Sequence, residues 1–321
     1  MNVREESILR LAQRRRDKLG TMSDEAFDEL KLAVRENPEG FVDCDEDRAF
    51  LLLGRALKAN DEARKNEEFL DDDAYERAHT KRMDRLVAAC RDACELDPGC
   101  LDALTMTALL SGSEADDMLE ELLRLEREAA PFQPARSGAS AWDDVFCRPR
   151  LRLRAAITRE LLDTTRFRAA QEACSQLVEL TPGDPLGARF TWALACARLE
   201  DEAAFNALDA KFDRQGNAWS HIARILLMFK LDRMSAARRA PRGFASLCEG
   251  GAYALLRPVY VDAYLPDRPS FIPGSFEEVT LAVHEADPVV VDTPDFISWA
   301  SAQDGFLDEA QRYADSHDLD W

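Results

Sequence analysis

Between Pro149 and Arg214 the apolar residues recur every three or four positions, the period of a helix that buries one face. Leu151, Leu153, Ala156, Ile157, Leu161 and Leu162 form a first stripe, behind a proline suited to a helix's opening turn. Asp163-Thr164-Thr165 interrupts it, and Thr165 is the expected cap of a second helix carrying Phe167, Ala170, Cys174, Leu177 and Leu180. Thr181-Pro182-Gly183-Asp184-Pro185 ends that helix, because proline lacks the N–H and keeps its predecessor out of the helical region. A third helix, Leu186 to Leu199, is rich in small residues, Gly187, Ala188, Ala193, Ala195 and Ala197, which let neighbours approach closely. A fourth runs from about Glu202 to Phe212. The pattern predicts antiparallel helix pairs.

Similar patterns flank this centre. Helices are expected over 3–19, from a Ser23 cap to Asn37-Pro38, and over 46–60; the charged residues 61–73 either extend the third helix or stay outside it. A long helix from Asp73 to Leu96 ends at Asp97-Pro98-Gly99, and 101–129 gives a further pair split at Ser111-Gly112-Ser113, with Ser113 as the cap. Residues 130–148 shift to proline, glycine and serine and read as a connector between an N-terminal helical block, 1–129, and a C-terminal block, 149–321. Beyond the centre, helices are expected at 216–231, 233–248 (disturbed at Pro241), 252–264, about 275–285 and 293–316, with an irregular proline-held crossing at 265–274. Val289-Val290-Val291 is the one strand-like run, too short and isolated to indicate a sheet. The expected fold class is all-α.

Ala170, Leu177 and Leu180-Thr181-Pro182-Gly183-Asp184, closing a helix pair, resemble the tetratricopeptide repeat (TPR), a 34-residue unit with a late proline. With Pro182 in that place the unit spans 151–184, and breakers recur 34 residues on at Gly216 and again at Gly250. Arg154, Thr158 and Leu161 depart from the motif's aromatic, glycine and tyrosine. The string Leu180-x-Pro182-x-Asp184-x-x-Gly187-x-Arg189-Phe190 is similar to one in bacterial TPR-like proteins related to the suppressor-of-tumorigenicity family. An offset of 84 residues also aligns Ala89-Cys90 with Ala173-Cys174 and Pro98-Gly99 with Pro182-Gly183. The resemblance covers roughly residues 80–300 and implies an α-solenoid of stacked pairs that binds protein segments and is not an enzyme.

In such arrays the first helix of each pair lines the concave surface. The resemblance puts Arg152, Ala155, Arg159 and Leu162 there, then Leu186, Arg189, Ala193 and Cys196, then Ser220, Ala223, Leu227 and Lys230. Arg152, Arg159, Arg189 and Lys230 would set basic groups over an apolar floor of Leu186, Ala193 and Leu227. That groove suits an acidic or amphipathic peptide, since guanidinium forks pair bidentately with carboxylates. The lysines and asparagines of a carboxylate clamp are absent, so a free peptide C-terminus is not the expected ligand.

Charge narrows the partners further. The 321 residues carry 61 acidic and 41 basic side chains, a formal charge of −20. This disfavours nucleic acid, whose binding needs a basic footprint and would rest here on Arg14–Arg16 and on Arg148, Arg150, Arg152 and Arg154. Residues 285–321 hold ten acidic residues and one basic, Arg312, and read as an acidic cap. No apolar run reaches the length of a membrane span, the first twenty residues lack an apolar signal core, and the eight cysteines are scattered through helices. A cytoplasmic protein with reduced, mostly buried thiols and no membrane partner is expected.

No constellation promises chemistry. Cys90-x3-Cys94-x5-Cys100 invites a zinc reading, but the spacing is wrong for paired ligands and no histidine is near, so small residues in a helix interface are expected. His79, His221, His284 and His317 lie far apart, and neither GxGxxG nor a phosphate loop occurs. No metal, cofactor or catalytic residue is expected. Arg148/Arg152 and Arg150/Arg154 stand four apart on a helix, so compensating anions are needed, with Asp143, Asp144 and Glu160 nearest in sequence. An enzyme would need polar groups converging between the blocks around Trp142 and Cys147.

Overall fold

The computed structural model describes residues 3–67, 70–130, 140–257, 261 and 267–321; among these the chain is all-α, with no strand. It divides into two compact units, Met1–Ala156 with Leu265–Asp267, and Ile157–Tyr264 with Arg268–Trp321.

Unit one opens with α1 (Val3–Leu19) and α2 (Asp24–Glu36); the Ser23 hydroxyl caps the second by accepting the Ala26 N–H. A 3₁₀ turn at Pro38–Phe41 leads to α3 (Asp45–Glu67), and α4 (Asp72–Leu96) packs along it. Residues 61–67 of the charged stretch therefore extend α3, while Asp72 and Asp73 open α4. A buried ion pair helps hold the extension there, Arg82 Nε of α4 donating to Glu67 at 2.9 Å. α5 (Leu101–Leu109) and α6 (Ala115–Glu128) follow, the latter with Glu114 at its cap position. The expected cap, Ser113, instead meets Ser111 hydroxyl to hydroxyl. Ile8, Leu11, Phe27 and Val34 form one core cluster, and Leu53, Leu57, Leu86, Cys90 and Met106 belong to a second between α3, α4 and α5. Each such leucine contributes about 1.5–3 kcal/mol by leaving water.

Of the serine- and proline-rich stretch, residues 131–139 lie outside the described residues; Ala141–Asp143 is a 3₁₀ turn, and α7 (Arg148–Asp163) follows. The division between units falls inside α7, after Ala156, whereas composition put the junction at 130–148. The arginines in the first half of α7 find their counter-charges in unit one, as described below.

Unit two holds the second half of α7, then α8 (Phe167–Leu180), α9 (Ala188–Arg198), α10 (Glu202–Lys211) and α11 (Ala218–Lys230). After these come α12 (Met234–Ala237), α13 (Ala240–Leu247), α14 (Gly251–Leu256), α15 (Phe276–Val291), α16 (Phe296–Ser301) and α17 (Phe306–His317). α9 packs on α8 and α11, α11 on α15, and α14 on α17. Thr165 does not cap α8: it turns to φ +61°, and Arg166 takes the cap position. At the next break the Thr181 hydroxyl returns to the Leu177 carbonyl at 2.7 Å, while Asp184 accepts the N–H groups of Ala188 and Arg189 at 2.7 and 3.1 Å. One short stretch thus stops α8 and caps α9. Val289–Val291 is helical, because Val279, Val283, Ala286 and Val289 bury one stripe of α15, which continues through Pro288. The expected helix over 293–316 is broken before Phe306 by Gly305 at φ +74°. No helix among the described residues is long and apolar enough to cross a membrane.

Candidate functional site

Unit one neutralises the arginine row with carboxylates remote in sequence. Arg152 is 0% exposed. It donates from Nε and Nη2 to Asp102 at 2.7 Å each, and from Nη1 and Nη2 to Glu6 at 3.0 and 2.8 Å. Arg148 reaches Glu6 at 3.4 Å, and Arg154 reaches Glu126 at 2.7 Å. Arg150 donates to the carbonyls of Glu126, Ala129 and Ala130 at the end of α6, where a cation meets the negative pole of the helix. Burial opposes the charge on Arg152, but Asp102 and Glu6 outweigh it, and its pKa stands well above the ordinary value. Arg152 is therefore an internal ion-pair centre, a correction to its expected place on an open groove.

Apart from Ala155, which is buried in unit one, the remaining predicted positions belong to unit two. Leu186 and Leu227 are 2% and 0% exposed and lie in the core, so they offer no floor to a ligand. Arg189 and Ala193 do converge with Ser220, around a dimple of about 30 Å³ between α9, α10 and α11. That is room for about two waters, not for a peptide side chain. The Arg189 guanidinium lies over Phe190 and Phe212, at 5.0 and 4.7 Å from their ring centres. Lys230 sits 3.5 Å from Glu200.

Arg159 is half-buried beside Glu160 and Asp163, whose negative charges it favours. Burial raises the Glu160 carboxyl, which is 6% exposed and whose Oε2 has no hydrogen bond among the described residues. Asp163 is pushed up to about 7 by burial of its carboxyl, then by repulsion from Glu160 and Glu285, although the residue as a whole is exposed. The unfolded chain releases this proton near its ordinary pKa of 3.8 and the folded chain near 7, so the fold is penalised progressively between those values and fully above them. Asp163→Asn is expected to remove that slope. Discounted for screening by water around the exposed residue, the variant gains about 1 kcal/mol over the native protein at pH 8. Urea midpoints at pH 5 and pH 8 measure it; parallel pH profiles would refute it.

Sequence reasoning overlooked Arg268. Its Nε and Nη2 donate to Glu285 at 2.9 Å each, and Nη1 donates to the Leu186 and Gly187 carbonyls at 2.9 and 2.6 Å. Glu285 also accepts the Trp219 indole N–H at 2.6 Å, and Trp219 stacks on Phe190 with ring centres 4.3 Å apart. Gly187 takes φ +67°, and a Cβ there would stand 2.4 Å from Arg268 Nη1, so the loop must stay bare to admit the guanidinium. The only signal was a cation beside Pro269 in a stretch without helical period.

An open groove exists elsewhere, between α1 and α3 of unit one, with a volume of about 590 Å³. Ile8 and Gly54 are buried and Leu51 half-buried along its floor, while Arg4, Arg35, Arg55 and Lys58 are exposed around it. Leu51, Gly54, Arg55 and Lys58 follow the i, i+3, i+4, i+7 spacing of one α3 face. Arg35 donates to Glu5 at 2.6 Å, Arg55 pairs with Glu39, and Lys58 lies 3.6 Å from Glu62. Arg4 makes no ion pair among the described residues.

No family model, curated protein or solved structure matches the chain. Function is therefore read from the side chains. None of the eight cysteines is in a disulfide. Burial pushes the Cys90, Cys100 and Cys196 thiols up to about 12 and Cys147 up to about 11, which keeps them protonated near neutral pH and weak as nucleophiles. Cys90 and Cys100 sit in the core cluster of α3, α4 and α5. Among the described residues no three His, Cys, Asp or Glu side chains are placed to hold a metal ion.

Proposed function

We propose that the protein is a non-catalytic, TPR-like interaction module that takes an acidic amphipathic helical segment of another protein into the groove between α1 and α3. The observation behind this is four basic side chains around an apolar floor, in a chain whose formal charge is −20. Elsewhere the net charge repels an acidic ligand; this groove is lined by four cations and one acid, Asp61, and the acids paired with Arg35, Arg55 and Lys58 (Glu5, Glu39 and Glu62) can be exchanged for those of a ligand. A helix docks in a groove through anchors spaced i, i+3, i+4 and i+7, and complementary charge at the edge sets orientation and on-rate. The helix pairs joined at Thr181–Asp184 support the TPR-like reading, and the protonated thiols argue against cysteine nucleophiles. The proposed groove is the one between α1 and α3 and not the expected line of Arg152, Arg159, Arg189 and Lys230, because Arg152, Leu186 and Leu227 are internal.

Three labelled helical peptides of equal length test the reading: acidic amphipathic, basic amphipathic and a scrambled acidic control. The acidic amphipathic peptide is expected to bind with Kd on the order of 10 μM at low salt, weakening as salt rises. Arg55→Glu combined with Lys58→Glu should weaken it about tenfold, or about 1.4 kcal/mol, while Arg189→Glu leaves it unchanged. Equal binding of the scrambled peptide, or full affinity in the double reversal, refutes the reading.

A further inference from the structure

A second cavity of unit one, about 720 Å³, is lined by Arg10, Phe50, Leu104, Phe146, Arg150 and the start of α5, among others. Its volume falls in the range of small-molecule sites. Arg10 is 5% exposed, with its guanidinium 4.2 Å from the Phe50 ring centre and 5.4 Å from that of Phe146. Among the described residues only Nη2 is engaged, donating to Glu46 at 3.0 Å; Nε and Nη1 are buried and have no hydrogen bond there, and Arg150 Nε is in the same condition. Native interiors pair such donors with protein, water or ligand. α5 begins at this wall with Cys100 in the cap position and no side-chain cap.

The carboxylates around the cavity are already committed. Asp102 holds Arg152 with both oxygens, and Glu46 takes Arg10 and Arg14. Asp97 and Asp144 each accept a nearby backbone N–H, and Glu128 pairs with Arg124. The buried polar atoms of the wall that lack a hydrogen bond among the described residues, Arg10 Nε and Nη1 and Arg150 Nε, are thus all donors, and apolar side chains share the wall with them. We infer that the cavity binds a small organic monocarboxylate, its oxygens accepting from Arg10 and its apolar body lying along Leu101, Leu104 and Leu125. One negative charge suits the site better than two, because five carboxylates already face the cavity against two arginines. This inference is independent of the α1–α3 groove and shares no residue with it.

The test uses the full chain and ligand-observed NMR with benzoate and octanoate, their amides, and inorganic phosphate. At least one carboxylate is expected to bind with Kd below about 1 mM and its amide about tenfold more weakly. Arg10→Gln should abolish the preference for the acid. Leu104→Trp, which fills the cavity and leaves Arg10 in place, should abolish binding, and it decides the matter if Arg10→Gln does not fold. The inference is overturned if neither acid binds, if amides match acids, if phosphate binds as tightly as the carboxylates, or if Leu104→Trp binds like the native chain.

Discussion

Arg152→Met is expected to destabilise unit one by about 3–5 kcal/mol, the typical effect of removing one member of a buried charge cluster. The loss comes less from the missing attraction than from what stays behind, since Glu6 and Asp102 are 3% and 1% exposed and would be left ionised without their main partner. Adding Glu6→Gln and Asp102→Asn to Arg152→Met should therefore recover much of the stability. Urea unfolding followed by circular dichroism gives the magnitude, and hydrogen exchange gives the place, with α1 and α5 opening sooner. Stability within about 1 kcal/mol of the native protein would show that water or local rearrangement compensates the carboxylates.

In unit two the corresponding prediction concerns Arg268. Arg268→Ala is expected to cost about 3–5 kcal/mol, because it strands the nearly buried Glu285 and leaves the Leu186 and Gly187 carbonyls without their donor. The Phe190–Trp219 stack also loses the cation beside it, 5.2 and 5.5 Å from the two rings. Arg268→Lys should rescue little, since a single ammonium cannot span Glu285 and two carbonyls at once. Exchange in α9, α11 and α15 should quicken while α3 and α4 keep their protection. Unchanged protection in α9 and α11 would contradict the role given to this guanidinium.

These two arginines also show what a single sequence reveals. The helices around Pro182 were legible because local rules decide them: Leu177 and Leu180 repeat at helical spacing, and proline with Asp184 terminates one helix and caps the next. The class of the fold followed from the same local period. Caps were less secure, since Ser113 and Thr165 have the right side chains but the turn geometry favoured their neighbours. Arg152 was misread for a different reason. Arg152 has the composition of a groove residue, and its burial depends on Glu6 and Asp102, 146 and 50 positions away. Helical spacing tells which residues share a face, not which helix covers it. Likewise Arg4 and Lys58 could be assigned to helices separately, but the apolar trough that they border exists only once α1 and α3 lie together.

The 146-residue separation between Glu6 and Arg152 has a consequence for biosynthesis. A chain elongating at roughly 5–20 residues per second makes Glu6 some 7–30 seconds before its arginine exists. Through that interval the carboxylate must stay hydrated, and the nascent N-terminal helices cannot close over it. Completion of the first half of the molecule is thereby postponed until α7 emerges, and translation itself sets the earliest moment at which that half can become native.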